Sequence, residues 1–210
     1  MDRQVRIRFV WMLAAILGLG TAISILFIAD MGTDPLTTMI RGFTMITPLS
    51  YGNCQLLFNI LLIVLAVFFR RDLIGAGTIA NMVLVGYVAE YLEIVWRSLP
   101  FIGDAPGMGI RIFMLLIGVV LFISTAAIYM TAELGVSPYD ALPIIISEKV
   151  PFSFRTVRIT VDVCAVCIGW LCGNTPGILT VLVVLSLGPV ITWFGKHVAV
   201  KLFGKVTSFV

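Results

Sequence analysis

Long uninterrupted apolar segments are the feature of this sequence that most limits its possible folds. Six of them run at about 9–30, 50–69, 73–97, 110–132, 153–171 and 176–200. Each is long enough to cross about 30 Å of hydrocarbon as a helix, which rises ~1.5 Å per residue. An open strand cannot cross lipid, because its unpaired backbone groups are too costly there. The sequence therefore predicts an all-α membrane protein with six transmembrane helices.

The composition excludes the soluble classes of protein. Only 12% of the residues are charged and 60% are hydrophobic, whereas a soluble domain has about 25% charged residues. The net charge of +3 is too small to indicate a nucleic-acid partner. The sequence contains no P-loop, no pair of histidines, no G-x-S-x-G and no metal-ligand cluster. We therefore expect neither enzymatic activity nor a catalytic residue, bound metal or cofactor.

Two shorter and more polar segments lie at 33–48 and 136–151. As helices they would reach only about 24 Å. Their polar residues are Asp34, Thr37, Thr38 and Arg41 in the first segment and Ser137, Asp140, Glu148 and Lys149 in the second. These lengths predict two short helices that lie at the membrane interface or enter the membrane part-way, as re-entrant helices do.

An internal repeat relates the two halves of the chain. The sequence Met31-Gly-Thr-Asp-Pro35 matches Leu134-Gly-Val-Ser-Pro138, which lies 103 residues later. Asn59 matches Asp162 at the same offset. Ordered matches of Gly, Pro and polar residues indicate a duplication better than matches of Leu and Val do.

The repeat divides the chain into two halves joined by a linker. The first repeat covers 1–99, the linker covers 100–109 and the second repeat covers 110–210, with three transmembrane helices and one short helix in each repeat. Because three crossings per half is an odd number, the second half should be inverted relative to the first. The sequence thus predicts two inverted-topology repeats in a 3+3 arrangement.

The distribution of positive charge agrees with inversion. With the N-terminus inside, eleven Lys and Arg residues fall on the cytoplasmic side and three fall outside. An arrangement with eight crossings gives similar totals. The loops separate the two arrangements, because Arg70-Arg71-Asp72 is basic while the equivalent loop Cys172-Gly-Asn-Thr-Pro176 is uncharged. We therefore expect both termini in the cytoplasm.

Both short segments begin with a helix-start signal. Asp34 and Ser137 are good N-cap residues, and Pro35 and Pro138 suit the first helical position. The free N–H groups at such helix starts bind anions or substrate carboxylates in transporters built from inverted repeats. Ordinary capping of a structural turn is the alternative, and the two roles are compatible.

Asp162 lies near the middle of the fifth long segment. An ionisable group at this depth costs about 2.5–3.5 kcal/mol or more and usually faces an interior cavity. Its repeat partner Asn59 would approach the same central region, and Asp140 is a second candidate. The structural alternative is an ion pair with Arg158, one helical turn away. The predicted substrate-binding residues are Asp162, Asn59, Asp140, Asp34, Pro35, Ser137, Pro138 and Arg158.

The motifs also resemble a known family. The G-x-x-P turn before a short helix, the duplicated P-x-S helix start and the sequence Gly75-Ala-Gly-Thr78 resemble the YczE/YyaS/YitT group of bacterial multi-pass membrane proteins. The resemblance implies a protein of the bacterial cytoplasmic (inner) membrane that takes part in transport. It supplies no binding residues to carry over.

These observations lead to a functional prediction. We expect a secondary transporter or permease for a small polar or charged metabolite, with its site between the repeats near mid-membrane. A passive channel, a substrate-capture subunit of an energised transporter and a membrane scaffold or assembly factor are the alternatives. The expected partners are the lipid bilayer and a small-molecule or ion substrate, and a homodimer is left open.

Overall fold

The computed structural model describes residues 3–103 and 106–185, and every regular element within these ranges is helical. The α-helices are α1 (Arg3–Ala29), α2 (Pro35–Ile46), α3 (Tyr51–Phe69), α4 (Ala76–Arg97), α5 (Met108–Thr131), α6 (Pro138–Ser147) and α7 (Phe154–Leu171). A short 3-10 turn, Arg71–Leu73, joins α3 to α4, and residues 178–185 are helical. The all-helical fold class is therefore confirmed for the described residues.

Four of the described helices are long and apolar enough to span a membrane: α1, α3, α4 and α5. α7 has 18 residues but contains three charged ones, Arg155, Arg158 and Asp162. Of the sixth predicted span, 176–200, the part beyond residue 185 lies outside the described residues. A membrane protein with several spans is thus confirmed, and the total of six stays a prediction.

The two predicted short helices are present and are capped as the sequence indicates. α2 has 12 residues and α6 has 10, which correspond to about 18 and 15 Å of helix. The Asp34 carboxylate accepts a hydrogen bond from the Thr37 backbone N–H at 3.1 Å. The Ser137 hydroxyl accepts one from the Asp140 backbone N–H, also at 3.1 Å. Each helix therefore starts at its proline, with one orphan N–H satisfied by the cap.

The turns that precede the short helices adopt the same unusual backbone conformation. Gly32 has a φ of 107° and Gly135 a φ of 106°. Asp30 and Glu133, two residues before these glycines, have φ values of 48° and 55°. Non-glycine residues seldom adopt positive φ, so its recurrence 103 residues later indicates that the two turns are built in the same way.

α1 and α5 pack against each other along their lengths and run antiparallel. At one end Arg8 of α1 pairs with Glu133, just beyond α5, at 2.8 Å. At the other end Arg111 of α5 pairs with Asp30, just beyond α1, at 3.1 Å. Arg111 lies 103 residues after Arg8, as Glu133 does after Asp30. The two ends of this helix pair are therefore held by equivalent ion pairs. The observed α1 begins at Arg3, before the predicted residue 9, and this extension places Arg8 within the helix.

The halves also exchange backbone hydrogen bonds. The N–H of Gly77, at the start of α4, donates to the carbonyl of Leu134 at 2.8 Å. The N–H of Leu179, at the start of the last described helix, donates to the carbonyl of Met31 at 3.1 Å. A carbonyl in the turn of each half thus accepts a hydrogen bond from a free N–H at the start of a helix in the other half.

Each short helix packs against a long helix of the other half. α2 crosses α7 where Gly42 and Gly169 meet, and a Cβ on Gly169 would lie 2.6 Å from the Thr38 carbonyl oxygen. α6 packs on α3 through a buried cluster that includes Ala66, Ala141 and Ile145. Small residues at these crossings let the backbones approach closely, which is the usual basis of helix association in membranes.

We expect Gly169→Ala to destabilise the protein by about 1–3 kcal/mol, because the added methyl group meets the α2 backbone rather than a movable side chain. The measurement is the free energy of unfolding in detergent. Gly109→Ala is the matched control, since a Cβ at that position in α5 would have no atom within 4 Å apart from its chain neighbours and the nearby backbone of its own helix. Equal effects of the two substitutions would show that the α2–α7 crossing is not tightly packed.

Candidate functional site

A guanidinium group held between two carboxylates forms the centre of the candidate site. Arg158, in the second turn of α7, pairs with Asp140 of α6 at 2.5 Å and with Asp162 at 3.1 Å. The Tyr139 hydroxyl donates to the other carboxylate oxygen of Asp162 at 2.7 Å. The Ser137 hydroxyl donates to the other oxygen of Asp140 at 2.8 Å. The cluster therefore joins the start of α6 to the middle of α7.

The cluster faces the interior of the protein. The side chain of Asp162 is 3% exposed, and those of Arg158 and Asp140 are 19% and 22% exposed. Asp162 thus lies against other protein groups rather than at the surface of the helical bundle. The ion pair with Arg158 that the helical spacing suggested is present. An ion pair is compatible with both a structural and a substrate-binding role.

Asp34 approaches the cluster from the first half of the chain. It lies close enough to Asp162 and to Tyr139 to interact with both electrostatically. Its Oδ2 caps α2, while its Oδ1 is buried and has no hydrogen-bond partner among the described residues. The starts of α2 and α6, one from each half, therefore both lie near Asp162.

Asn59 is buried in the middle of α3 and is 1% exposed. Neither its Oδ1 nor its Nδ2 has a hydrogen-bond partner within the described part of the chain. No described contact joins it to the Arg158 cluster. The two predicted prolines, Pro35 and Pro138, are fully buried at the helix starts and contribute shape rather than polar groups.

The structure adds two tyrosines that the sequence prediction missed. Tyr139 donates to Asp162, and the hydroxyls of Tyr51 and Thr37 lie 3.3 Å apart. Tyr51 is also within electrostatic range of Asp34. The sequence contained one signal for Tyr139, its position in the first turn of a short capped helix. A tyrosine buried at such a position needs a hydrogen-bond partner for its hydroxyl. Tyr51 and Tyr139 therefore belong, with Asp34 and the Asp140–Arg158–Asp162 cluster, to what we call the polar centre of the protein.

The described residues contain no group of three or more His, Cys, Asp or Glu side chains that could hold a metal ion. The polar groups of the Arg158 cluster and of Asp34 are carboxylates, hydroxyls and one guanidinium. Such groups suit hydrogen bonding and charge pairing with a small polar molecule.

Taken together, the spans and the buried polar centre define a multi-pass α-helical membrane protein. Residues 6–196 match the family described as "Family of unknown function (DUF6198)", so the chain belongs to this family. It is 28% identical over 187 residues to a Haemophilus influenzae protein named "Uncharacterized protein", a match that covers 88% of this chain and 81% of the relative.

A second relative carries the family name suggested by the motifs. The chain is 26% identical over 140 residues to the "Uncharacterized membrane protein YczE" of Bacillus subtilis, a match that covers 67% of this chain and 62% of the relative. No solved structure matches the chain. The resemblance to YczE-type membrane proteins is therefore confirmed, while the link to YitT stays a prediction.

We expect Arg158→Met to destabilise the protein by about 3–5 kcal/mol, because it leaves the Asp140 and Asp162 carboxylates buried without their cation. The triple variant Asp140→Asn, Arg158→Met, Asp162→Asn should recover at least half of that loss. Unfolding in detergent measures both effects.

Arg155→Met, an exposed position in the same helix, is the control and should change stability little. A triple variant no more stable than Arg158→Met would contradict the assignment of the loss to unpaired carboxylates.

Proposed function

We propose that the chain is a secondary transporter or permease that moves a small polar or charged metabolite across the bacterial cytoplasmic membrane. The observation that carries the proposal is the buried Asp140–Arg158–Asp162 cluster, with Asp34 approaching it from the other half. Buried ionisable groups within membrane spans commonly mark a substrate or ion pathway. Substrate sites in many transporters lie where short helices from two repeats begin.

The proposal includes six crossings arranged as two inverted repeats, 1–99 and 110–210. The ion pairs Arg8–Glu133 and Arg111–Asp30 support it. The arginine of each half pairs with the acidic residue of the other half, and the two pairs occupy equivalent positions. Such reciprocity is the property of a two-fold relation. Since the equivalent helices α1 and α5 are antiparallel, this relation would place the halves in opposite orientations in the membrane. The basic loops then favour cytoplasmic termini.

In the proposed mechanism one half rocks against the other around a fixed central site. A charged group of the substrate would compete with the internal ion pairs of Asp140, Arg158 and Asp162. Because the cluster joins α6 to α7, its rearrangement would alter how these helices are held together. Substrate binding would in this way be coupled to the movement of the second half.

The test is uptake of radiolabelled solutes into liposomes containing the full-length protein, with a panel of cationic, anionic, zwitterionic and neutral metabolites. We expect saturable uptake of at least one class. Asp162→Asn and Asp140→Asn should each reduce that uptake at least about tenfold, which corresponds to ~1.4 kcal/mol of lost interaction.

Asp72→Asn is the matched control, because Asp72 lies in the loop after α3 with 63% of its side chain exposed and should leave uptake unchanged. Unchanged flux in both cluster variants would contradict the proposed site. Uptake that does not saturate would indicate a channel, and co-purification with an ATPase would indicate a capture subunit. Absence of any flux would favour a scaffold.

A further inference from the structure

We propose that the substrate carries a protonated amino or guanidinium group, which binds at the free carboxylate oxygen of Asp34. The inference rests on the transport function proposed above and specifies the substrate class for the same site. It follows from the hydrogen-bond partners of each charged group, from a second unpartnered side chain and from the aromatic groups nearby.

The polar centre contains more carboxylates than cationic groups. Three carboxylates, those of Asp34, Asp140 and Asp162, interact within the centre, and Arg158 is the one guanidinium bound to them among the described residues. Arg158 pairs with Asp140 and Asp162, so Asp34 has no cationic partner within the described residues. The starts of α2 and α6 add only about half a positive charge each. The centre therefore favours a cation.

The hydrogen bonds identify which oxygen is free. Both oxygens of Asp140 are occupied, by Arg158 and Ser137. Both oxygens of Asp162 are occupied, by Arg158 and Tyr139. Asp34 uses Oδ2 to cap α2, and its buried Oδ1 has no partner within the described residues. Asp34 is therefore the carboxylate of the three with an oxygen that no described group occupies.

Asn59 provides a second, independent indication of a ligand. It is 1% exposed, and both of its amide atoms lack partners in the described ranges. A buried unsatisfied polar group costs about 1–3 kcal/mol, so one with two unsatisfied atoms is expected to bind something. Asp34 lies within electrostatic range of Asp162, and the positions equivalent to these two residues in the other half are Ser137 and Asn59. From the two-fold relation proposed above we infer that Asn59 lies near Ser137, at the start of α6.

The aromatic residues near Asp34 suit an organic cation. Tyr51 and Tyr139 are 7% and 5% exposed and lie within electrostatic range of Asp34. Aromatic faces attract ammonium and guanidinium groups, and they interact best with cations that have shed their water. The guanidinium of Arg158 already lies 5.4 Å from the centre of the Tyr139 ring. A substrate with a similar group would use the same chemistry.

The experiment measures ligand stabilisation of the full-length protein in detergent at matched ionic strength. The probes are ethylammonium and methylguanidinium as chlorides, with sodium propionate and propionamide as the anionic and neutral probes. We expect the two cations to raise the thermal unfolding midpoint saturably, by about 5 °C or more at ~100 times Kd. Propionate and propionamide should give no saturable increase.

Asp34→Ser removes the carboxylate but keeps an N-cap, since serine occupies the equivalent position 137. Asp34→Asn is a second variant that also preserves the cap. Both should weaken the apparent affinity for the cations at least about tenfold. Asp72→Asn is the matched control and should not change it. The hydrogen bond from Arg70 holds the pKa of Asp72 below its usual value, so this control also removes an ionised carboxylate.

Stabilisation by propionate alone, equal stabilisation by cations in wild type and Asp34→Ser, or no stabilisation by either cation would overturn the inference. The failure of the transport function is distinguishable from this one. Asp162-dependent uptake of an anionic or neutral solute would support the transport function and contradict the cationic substrate class. Cation binding at Asp34 without flux of any solute would support the cation site and contradict the transport function.

Discussion

The pairing of Arg158 with two carboxylates is the constraint on which the rest of this structure depends. An ionisable group in hydrocarbon costs about 2.5–3.5 kcal/mol or more, and it is tolerated when it faces a partner inside the protein. Arg158 meets two carboxylates, and through Asp140 this requirement fixes α6 against α7. Arg8 and Arg111 also pair with carboxylates, at the two ends of the α1–α5 contact, where Asp30 is exposed. The packing of the helices and the composition of the polar centre thus have a common cause.

The site is asymmetric in charge because residues at equivalent positions of the two halves differ. Asp162 and Arg158 of α7 correspond to Asn59 and Gln55 of α3, so one half has an ion pair where the other has two amides. In the proposed arrangement, duplication supplies the shared framework of turns and capped short helices. Divergence at a few buried positions then supplies the chemistry. Asp34, which has no cationic partner among the described residues, lies in the half that has the two amides.

Much of the fold could be predicted from the sequence, because long apolar runs, N-cap residues and prolines act locally. The helix starts at Pro35 and Pro138 follow from one or two residues each. The contacts between helices could not be predicted in this way, because helices surrounded by lipid show little contrast between their faces. The bond from Tyr139 to Asp162 joins α6 to α7, and the pairing of Arg8 with Glu133 joins residues 125 positions apart. For Arg8 the only signal in the sequence was a second arginine, Arg111, at the equivalent position of the other half.

The most direct test of the account is the side of the membrane that equivalent loops face. Asp72 and Asn174 are equivalent positions in the loops after α3 and α7. Each would be replaced by cysteine in a protein whose four native cysteines are alanine, and labelled with an impermeant thiol reagent in vesicles of known orientation. Opposed halves predict that position 72 reacts only from the cytoplasmic side and position 174 only from the other side. Labelling of both positions from the same side would contradict the account.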